Sequence, residues 1–459
     1  MSNTKTLAEL RAESAAESAA RRRLTYLFDE GKFTELDAYV QDGEGLTGVI
    51  AAFGYAEGNP VYAFSQNIEV KKGALTRRGA DKIAKVYDLA AKTGVPVVGI
   101  YDSYGADVSC GPGALKAYGE LMLWTSNLSG VVPQIAVVAG VCAGAAAMLA
   151  ETADFTVMAK DAELYVAPNS GIKSSSENAA ANGTACAVCE DDKAAVEKAR
   201  EILLKLPQNN LSPVPIYEFE APAGGSFDNA ENAAKAIADE GSVTELSAEF
   251  GRAAYTALAS VNGATVGIAA TNKANDKLTA DDCSKLARFV RVCDAFAIPV
   301  ITVVDTEGFA ADSETEVQGA VRSMAKLAHA YAEATTAKIA VVTGRAYGPA
   351  YIALAGKGSN SDLTYAFPEA VISPLAPVTA VEFLEHDKLK GADDLASARK
   401  ELAGEYAATK ASAVNAAAHG CVDGIVDGAG VRETVVAALD IMAGKRISRL
   451  PKKHSNIQL

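Results

Sequence analysis

The 459 residues are too many for one compact core and predict two domains of roughly 200 residues each, and an apolar content of 49% argues against disorder. A formal net charge of −14 disfavours nucleic acid or an anionic membrane surface as the main partner. Seven cysteines scattered without a disulfide-like rhythm fit a reducing cytoplasm.

The opening stretch MSNTKTLAELRAESAAESAARRRLTYLF lacks an apolar segment ahead of its arginines and carries Glu9, Glu13 and Glu17, so it reads as an exposed helix rather than a targeting peptide. GNPVYAFSQN (58–67) then predicts a strand ending in a polar turn, and ADKIAKVYDLAAKTG (80–94) a helix with a 3.6-residue apolar period. GVPVVGIYDSYGAD (94–107) predicts a buried strand and another turn. GVVPQIAVVAGVCAGAAAMLA (130–150) is long enough to raise a membrane span. It is weakly hydrophobic, however, contains Pro133 and Gln134, and reads as strand, turn and helix. Cys186-Ala-Val-Cys189 stands alone, with no second pair or nearby histidine, and predicts half-buried free thiols rather than a zinc ribbon.

PAGGSFDN (222–229), rich in turn formers, marks the expected boundary between domains 1–225 and 226–459. Beyond it the chain repeats itself. Ile135-Ala-Val-Val-Ala-Gly-Val-Cys-Ala-Gly-Ala-Ala146 aligns without a gap on Ile339-Ala-Val-Val-Thr-Gly-Arg-Ala-Tyr-Gly-Pro-Ala350, 204 residues later, with seven of twelve positions identical. GATVGIAATN (263–272), DDCSKLARFVRVCDAFA (281–297) and AIPVITVVDTEGFAAD (297–312) echo the earlier strand, helix and strand in the same order. An internal duplication of an α/β unit is the simplest reading.

In each copy a buried strand runs into a turn of small residues, Cys142-Ala-Gly-Ala-Ala146 or Ala346-Tyr-Gly-Pro-Ala350, and a helix follows. Small side chains let a ligand approach the backbone, and the first N–H groups of a helix have no partner within it, so such a turn can hold an oxyanion. Tight packing of helix on strand would need the same small residues. Pro349 is well suited to the first helical position, yet it removes a donor from the turn. No serine, histidine and acid arrangement is evident, and His329, His386, His419 and His454 are expected on helices, a loop and a tail.

RLTYLFDEGKFTELDAYV, GVPVVGIYDSYGA, CAGAAAMLAETADFTVM, LARFVRVCDAFAIPVITVVDTEGF, KLAHAYAEATTAKIAVVTGRAYGPAY and the closing PKKHSNIQL together resemble the carboxyltransferase subunits of biotin-dependent acyl-CoA carboxylases and decarboxylases, the propionyl-CoA carboxylase beta type most of all. The resemblance covers nearly the whole chain. It implies an α/β fold of two tandem crotonase-like domains, each a ββα spiral, in a homo-oligomer that is a dimer or a trimer of dimers. Acyl-CoA would bind mainly on the N-terminal domain and biotin would enter on the C-terminal side, between domains of different subunits. The two oxyanion pockets map onto Gly144 and Ala145 in the first half and onto Pro349 and Ala350 in the second, where Gly348 or Tyr351 would supply help in place of the proline. Tyr104, Gly105, Ala106, Cys142, Ala143, Phe309, Tyr351 and Ile352 fall at substrate-binding positions, and no metal is implied. The implied reaction moves a carboxyl group between carboxybiotin and a short-chain acyl-CoA, in either direction, without a strong protein base.

Several turns depart from the family pattern. The usual D-S-G-G-A-R is Asp102-Ser103-Tyr104-Gly105-Ala106-Asp107, P-G-F has become Glu307-Gly308-Phe309, and a Gly- and Ala-rich turn has become Ile-Ser-Pro-Leu-Ala-Pro-Val-Thr-Ala (372–380). Between Pro168 and Asp192 the chain is shortened, and a segment that carries a histidine in relatives reads SSSENAAANGTACAVCE. Ile352 stands where the family sets acyl-chain choice, and its apolar side chain suggests a small thioester. Neither an Ala-Met-Lys-Met carrier motif nor a Gly-rich ATP-binding segment occurs, so biotin is expected from a separate carrier protein, alongside a biotin carboxylase or a membrane sodium-pump decarboxylase subunit. A non-catalytic scaffold subunit, and a biotin-independent crotonase-like enzyme using Glu307 as acid and base, are the alternatives.

Overall fold

The computed structural model describes residues 5–43, 45–167, 176–317, 319–447 and 450–457. The chain divides into two units, Met1–Pro215 and Ile216–Leu459. The division precedes the turn-rich PAGGSFDN stretch because Ile216 bridges to Ala264, and Tyr217 N–H donates to Gly263 O at 2.9 Å, tying the intervening segment to the second unit.

Each unit is built on an eight-stranded mixed sheet, and the two sheets share one topology. In the first, Phe33–Leu36, Val49–Ala56 and Asn59–Gln66 run antiparallel to their neighbours, followed in parallel by Val97–Ser103, Gln134–Ala143, Phe155–Ala159 and Ala187–Cys189. In the second the path is Thr244–Leu246, Ala254–Val261, Ala264–Thr271, Val300–Thr306, Lys338–Tyr347, Leu363–Ala366 and Gly424–Ile425, with the same change from antiparallel to parallel. In each, one short strand pairs with the end of the longest: Glu163–Tyr165 beside Val141–Ala143, and Val371–Ser373 beside Arg345–Tyr347. This is the architecture expected of tandem crotonase-like domains. Parallel strands covered on both faces should be apolar throughout, and Val97–Ser103 is buried at every position.

Corresponding helices also begin alike. Arg77–Thr93 is capped by the Thr76 side chain, which accepts Gly79 N–H, and Ala280–Ala295 by a reciprocal box of Thr279 and Asp282. Each presents a buried lysine, Lys82 or Lys285, at the matching position. A left-handed residue follows each helix, Gly94 (φ 65°) directly and Ala297 (φ 53°) after Phe296, and only the first is free of a Cβ penalty.

The N-terminal stretch departs from expectation. Leu7–Ser14 is a helix with no buried residue, but Ala19–Leu27 buries Ala20, Arg23, Leu24 and Leu27. The apolar spacing 20, 24, 27 packs that second helix against the first unit, so only the first part is an exposed helix. The 130–150 segment is the expected strand and helix, Gln134–Ala143 and Ala145–Ala150, and no described helix is long and apolar enough to cross a membrane.

Candidate functional site

The first turn begins where Gln134–Ala143 leaves the sheet. Gly144 takes φ 58° and ψ −122°, a conformation that side chains disfavour, and the helix Ala145–Ala150 starts at the next residue. Gly144 N–H donates to Tyr165 O at 2.9 Å, so its donor completes the short strand pairing rather than facing a ligand. The first free N–H groups are then those of Ala145 and Ala146, at helical positions that have no intrahelical acceptor.

A cavity of about 910 Å³ opens here, with Gly144, Ala145, Met148, Tyr165 and Val166 on its wall and Glu151, Asn178 and Asn182 among its polar lining. Its size and mostly apolar wall suit a small-molecule ligand. Pro168 and the chain through 175, where the sequence is shortened relative to the family, lie outside the described residues; Ser176–Ala181 is a helix. Cys186 and Cys189 downstream are half-buried, as expected.

The loop 104–107 closes the other side of the turn. Leu75 N–H donates to Gly105 O at 2.8 Å and Asp107 N–H to Leu75 O at 3.2 Å, a parallel bridge that points Ala106 N–H away from Leu75. Gly105 has φ 99°, and a Cβ there would lie 2.8 Å from Ala143 O, so only glycine lets the loop come this close. Tyr104 keeps an exposed ring, with Lys72 Nζ 6.0 Å from its centroid. The Ser109 hydroxyl, and then Lys71 at 3.1 Å, hold the Asp107 carboxyl down to about 2, so it stays charged. Cys142 is buried beneath the turn, and burial pushes its thiol well above the ordinary range, which makes it a packing residue and not a nucleophile.

The second turn repeats the first with changed side chains. Gly348 has φ 55° and ψ −132°, and its N–H donates to Ser373 O at 2.8 Å. Pro349 is the first residue of the helix Pro349–Ala355, leaving Ala350 and Tyr351 as the free N–H groups. The proline-rich stretch after Ile372 backs this turn directly, since a Cβ on Gly348 would lie 2.9 Å from Pro374 O. Tyr351 donates its hydroxyl to Cys421 O at 2.6 Å, and burial pushes its pKa up to about 12. Ile352 and Met148 occupy equivalent helical positions and both are more than half exposed, at 58% and 55%.

Phe309 lies half-buried beside Gly308, where Leu278 pairs with it in a short parallel ladder. Glu307 is held by Arg345 Nη1 at 3.2 Å, with Lys277 at 4.0 Å, an engaged carboxylate rather than a poised base. The histidines lie apart: His329 on the helix Ala320–Glu333, His386 opening His386–Lys390, His419 capping Ala413–Ala418 and His454 in the tail. Among the described residues no cluster of His, Cys, Asp or Glu could hold a metal.

Sequence reading missed the polar residues behind both turns. Asp102 accepts from Arg23 Nη1 at 2.7 Å and Val141 N–H at 3.2 Å, and Arg23 also reaches Asp192 at 2.8 Å. Asp305 accepts from Arg345 Nε at 2.8 Å and from Arg345 N–H at 2.9 Å. The two aspartates hold matching places in GVPVVGIYDSYGAD and AIPVITVVDTEGFAAD, a signal present in the repeat. Arg23 left no such trace.

A family model described as a carboxyl transferase domain matches residues 12–457. Methylmalonyl-CoA decarboxylase subunit alpha of Propionigenium modestum is 35% identical, over 97% of this chain and 94% of its own length. The methylmalonyl-CoA carboxyltransferase 12S subunit of Propionibacterium freudenreichii subsp. shermanii is 34% identical, over 96% and 92%. A solved structure of transcarboxylase 12S, described as a hexamer assembly with hydrolysed methylmalonyl-coenzyme A bound, superposes with a TM-score of 0.92 at 31% identity, covering 98% of this chain and 97% of that one.

Proposed function

This chain belongs to the carboxyl transferase family, and from that premise we propose that it moves a carboxyl group between carboxybiotin on a separate carrier protein and a short-chain acyl-CoA. The observation that carries this reading is the pair of matching turns, each ending a long parallel strand in a left-handed glycine and presenting unpaired helical N–H groups. In the first half the thioester oxygen would be held by Ala145 N–H, with Ala146 N–H and the Ala106 N–H of the facing loop as further donors, while the small wall of Cys142, Ala143 and Gly144 lets the backbone reach it. Preorganised donors of this kind stabilise an enolate as its charge develops, and loss of one costs roughly 3 kcal/mol.

Carboxybiotin, when bound, supplies the carboxyl group and a ureido nitrogen able to take the α-proton. The residues of the second half fit a ureido oxygen with fewer donors than the first: Ala350 N–H, with Tyr351 N–H next, and none from Pro349. Phe309 and Ile352 offer apolar surface for orientation, and the Glu307–Arg345 pair argues against the biotin-independent acid-base alternative. The named relatives support methylmalonyl-CoA or a similarly short thioester as substrate, and a homo-oligomer as the working form.

Capture of biotinylated proteins from the source cell, followed by malonyl- and methylmalonyl-CoA decarboxylation with free biotin, tests this reading. Recovery of a biotinylated carrier with biotin-dependent turnover is expected. Turnover without biotin would favour the crotonase-like alternative, and a captured partner with no turnover of any short thioester would favour a scaffold role.

A further inference from the structure

Two carboxylates outside the turns, Asp102 buried and Asp305 partly buried, are placed to control them. In the first unit the strand Val97–Ser103 pairs with Gln134–Ala143 in regular register up to Tyr101 and Val138, then shifts, so that Ser103 lies opposite Cys142. In the second unit Val300–Thr306 shifts against Lys338–Tyr347 at the same place, after Val304 and Val342, and Thr306 lies opposite Ala346. An aspartate sits inside each irregularity. Asp102 Oδ1 accepts Val141 N–H and Asp305 Oδ1 accepts Arg345 N–H, the backbone donors that the shifted ladder leaves over.

The glycines before those donors exist to admit the carboxylates. A Cβ at Gly140 would lie 2.4 Å from Asp102 Oδ1, and one at Gly344 would lie 2.6 Å from Asp305 Oδ1. The next residue completes the device in both halves: Gly105 N–H donates to Ser103 Oγ at 3.0 Å, and Gly308 N–H to Thr306 Oγ1 at 3.1 Å. One polar pair, Asp-Ser or Asp-Thr, thus holds the residue three before each turn glycine, Val141 or Arg345, and the loop that faces the turn.

We infer that Asp102 and Asp305 are positioning residues that fix the two turns, each within its own unit. The inference rests on the proposed function for its consequence and on geometry alone for its mechanism. A carboxylate is required because donors face both of its oxygens. Asp305 Oδ1 takes Arg345 N–H and Nε–H, while Oδ2 takes Asn272 Nδ2 at 2.8 Å; Asp102 has Val141 N–H on Oδ1 and Arg23 Nη1 on Oδ2. Asparagine would turn an NH2 toward one donor whichever way it was oriented. The counter-ions differ, with Arg23 coming from the N-terminal helix and Arg345 from the strand itself, so each half carries its own lock.

The test is amide hydrogen exchange on the full-length protein carrying Asp102→Asn or Asp305→Asn, read at peptides spanning 140–150 and 344–355, with turnover measured in parallel. We expect faster exchange at the turn of the altered half only, and a kcat lowered by roughly 10²-fold, the scale of a misplacement of about 1 Å. Gly344→Ala, which drives a methyl against the intact Asp305 carboxylate, should reproduce the second pattern if Asp305→Asn does not fold. Unchanged exchange at both turns, or loosening spread over both halves alike, would overturn the inference. A wild-type protein with no biotin-dependent turnover, but with half-specific loosening in the variants, would sink the functional reading and leave the positioning role standing.

Discussion

At Gly144 and at Gly348 the chain makes one turn twice, with φ near 58° and 55°, a donor spent on the short neighbouring strand, and a helix beginning at the next residue. The halves part at that next residue. Ala145 has an N–H at the first helical position, whereas Pro349 has none. Structurally the proline is at home there, with a fixed φ already suited to a helix start. Duplication preserved the frame of the turn and removed a donor in one copy only.

The largest effect is expected at Gly144. Gly144→Val places a β-branched side chain in a left-handed conformation and fills the entrance to the cavity, and biotin-dependent turnover should fall by at least 10²-fold, roughly the cost of one lost oxyanion donor. Steady-state rates with methylmalonyl-CoA would check this, and unchanged kinetics would remove Gly144 from the site. Pro349→Gly works in the other direction. It restores the missing N–H, and we expect turnover to rise by up to roughly tenfold, about 1.4 kcal/mol of transition-state stabilisation. No gain would mean that Ala350 and Tyr351 already suffice.

Two smaller differences between the units lie away from the turns. Ala297 adopts the left-handed conformation that Gly94 takes in the first half, and Ala297→Gly should stabilise the second unit by about 1 kcal/mol, readable as a raised unfolding midpoint. Lys82 and Lys285 are equivalent buried lysines, but Lys82 faces Glu35 at 3.4 Å, while Lys285 donates to the carbonyls of Phe250, Gly251 and Ala254. Burial lowers Lys285 to about 8 from 10.5. Between those values the unfolded chain holds a proton that the folded chain has released, so stability rises with pH across the window. Denaturant titrations of Lys285→Met should show that rise flattened, and an unaltered slope would place the titration elsewhere.

Much of this frame was legible in the chain. The repeat at Ile135 and Ile339 placed both long strands, both turns and both following helices, because a buried strand and a small-residue turn leave a pattern that duplication doubles. Pro349 was readable as a missing donor because proline carries that property wherever it stands. What stayed hidden were contacts between distant residues. That Gly144 N–H and Gly348 N–H are consumed by Tyr165 and Ser373 depends on a short strand folding back beside the turn. That Arg23 lies buried against Asp102 depends on the N-terminal helix packing on the sheet, and a run of three arginines reads locally as an exposed surface. Asp102 and Asp305 stood in the repeat in plain view, but an aspartate at a strand end resembles any turn former until its partners are seen.

The most direct measurement is the initial rate of methylmalonyl-CoA or malonyl-CoA decarboxylation by the intact protein as free biotin is titrated from zero to saturation. The account predicts a negligible rate without biotin and a saturable rise with it. A rate that is already maximal without biotin, or absent at every concentration, would contradict it.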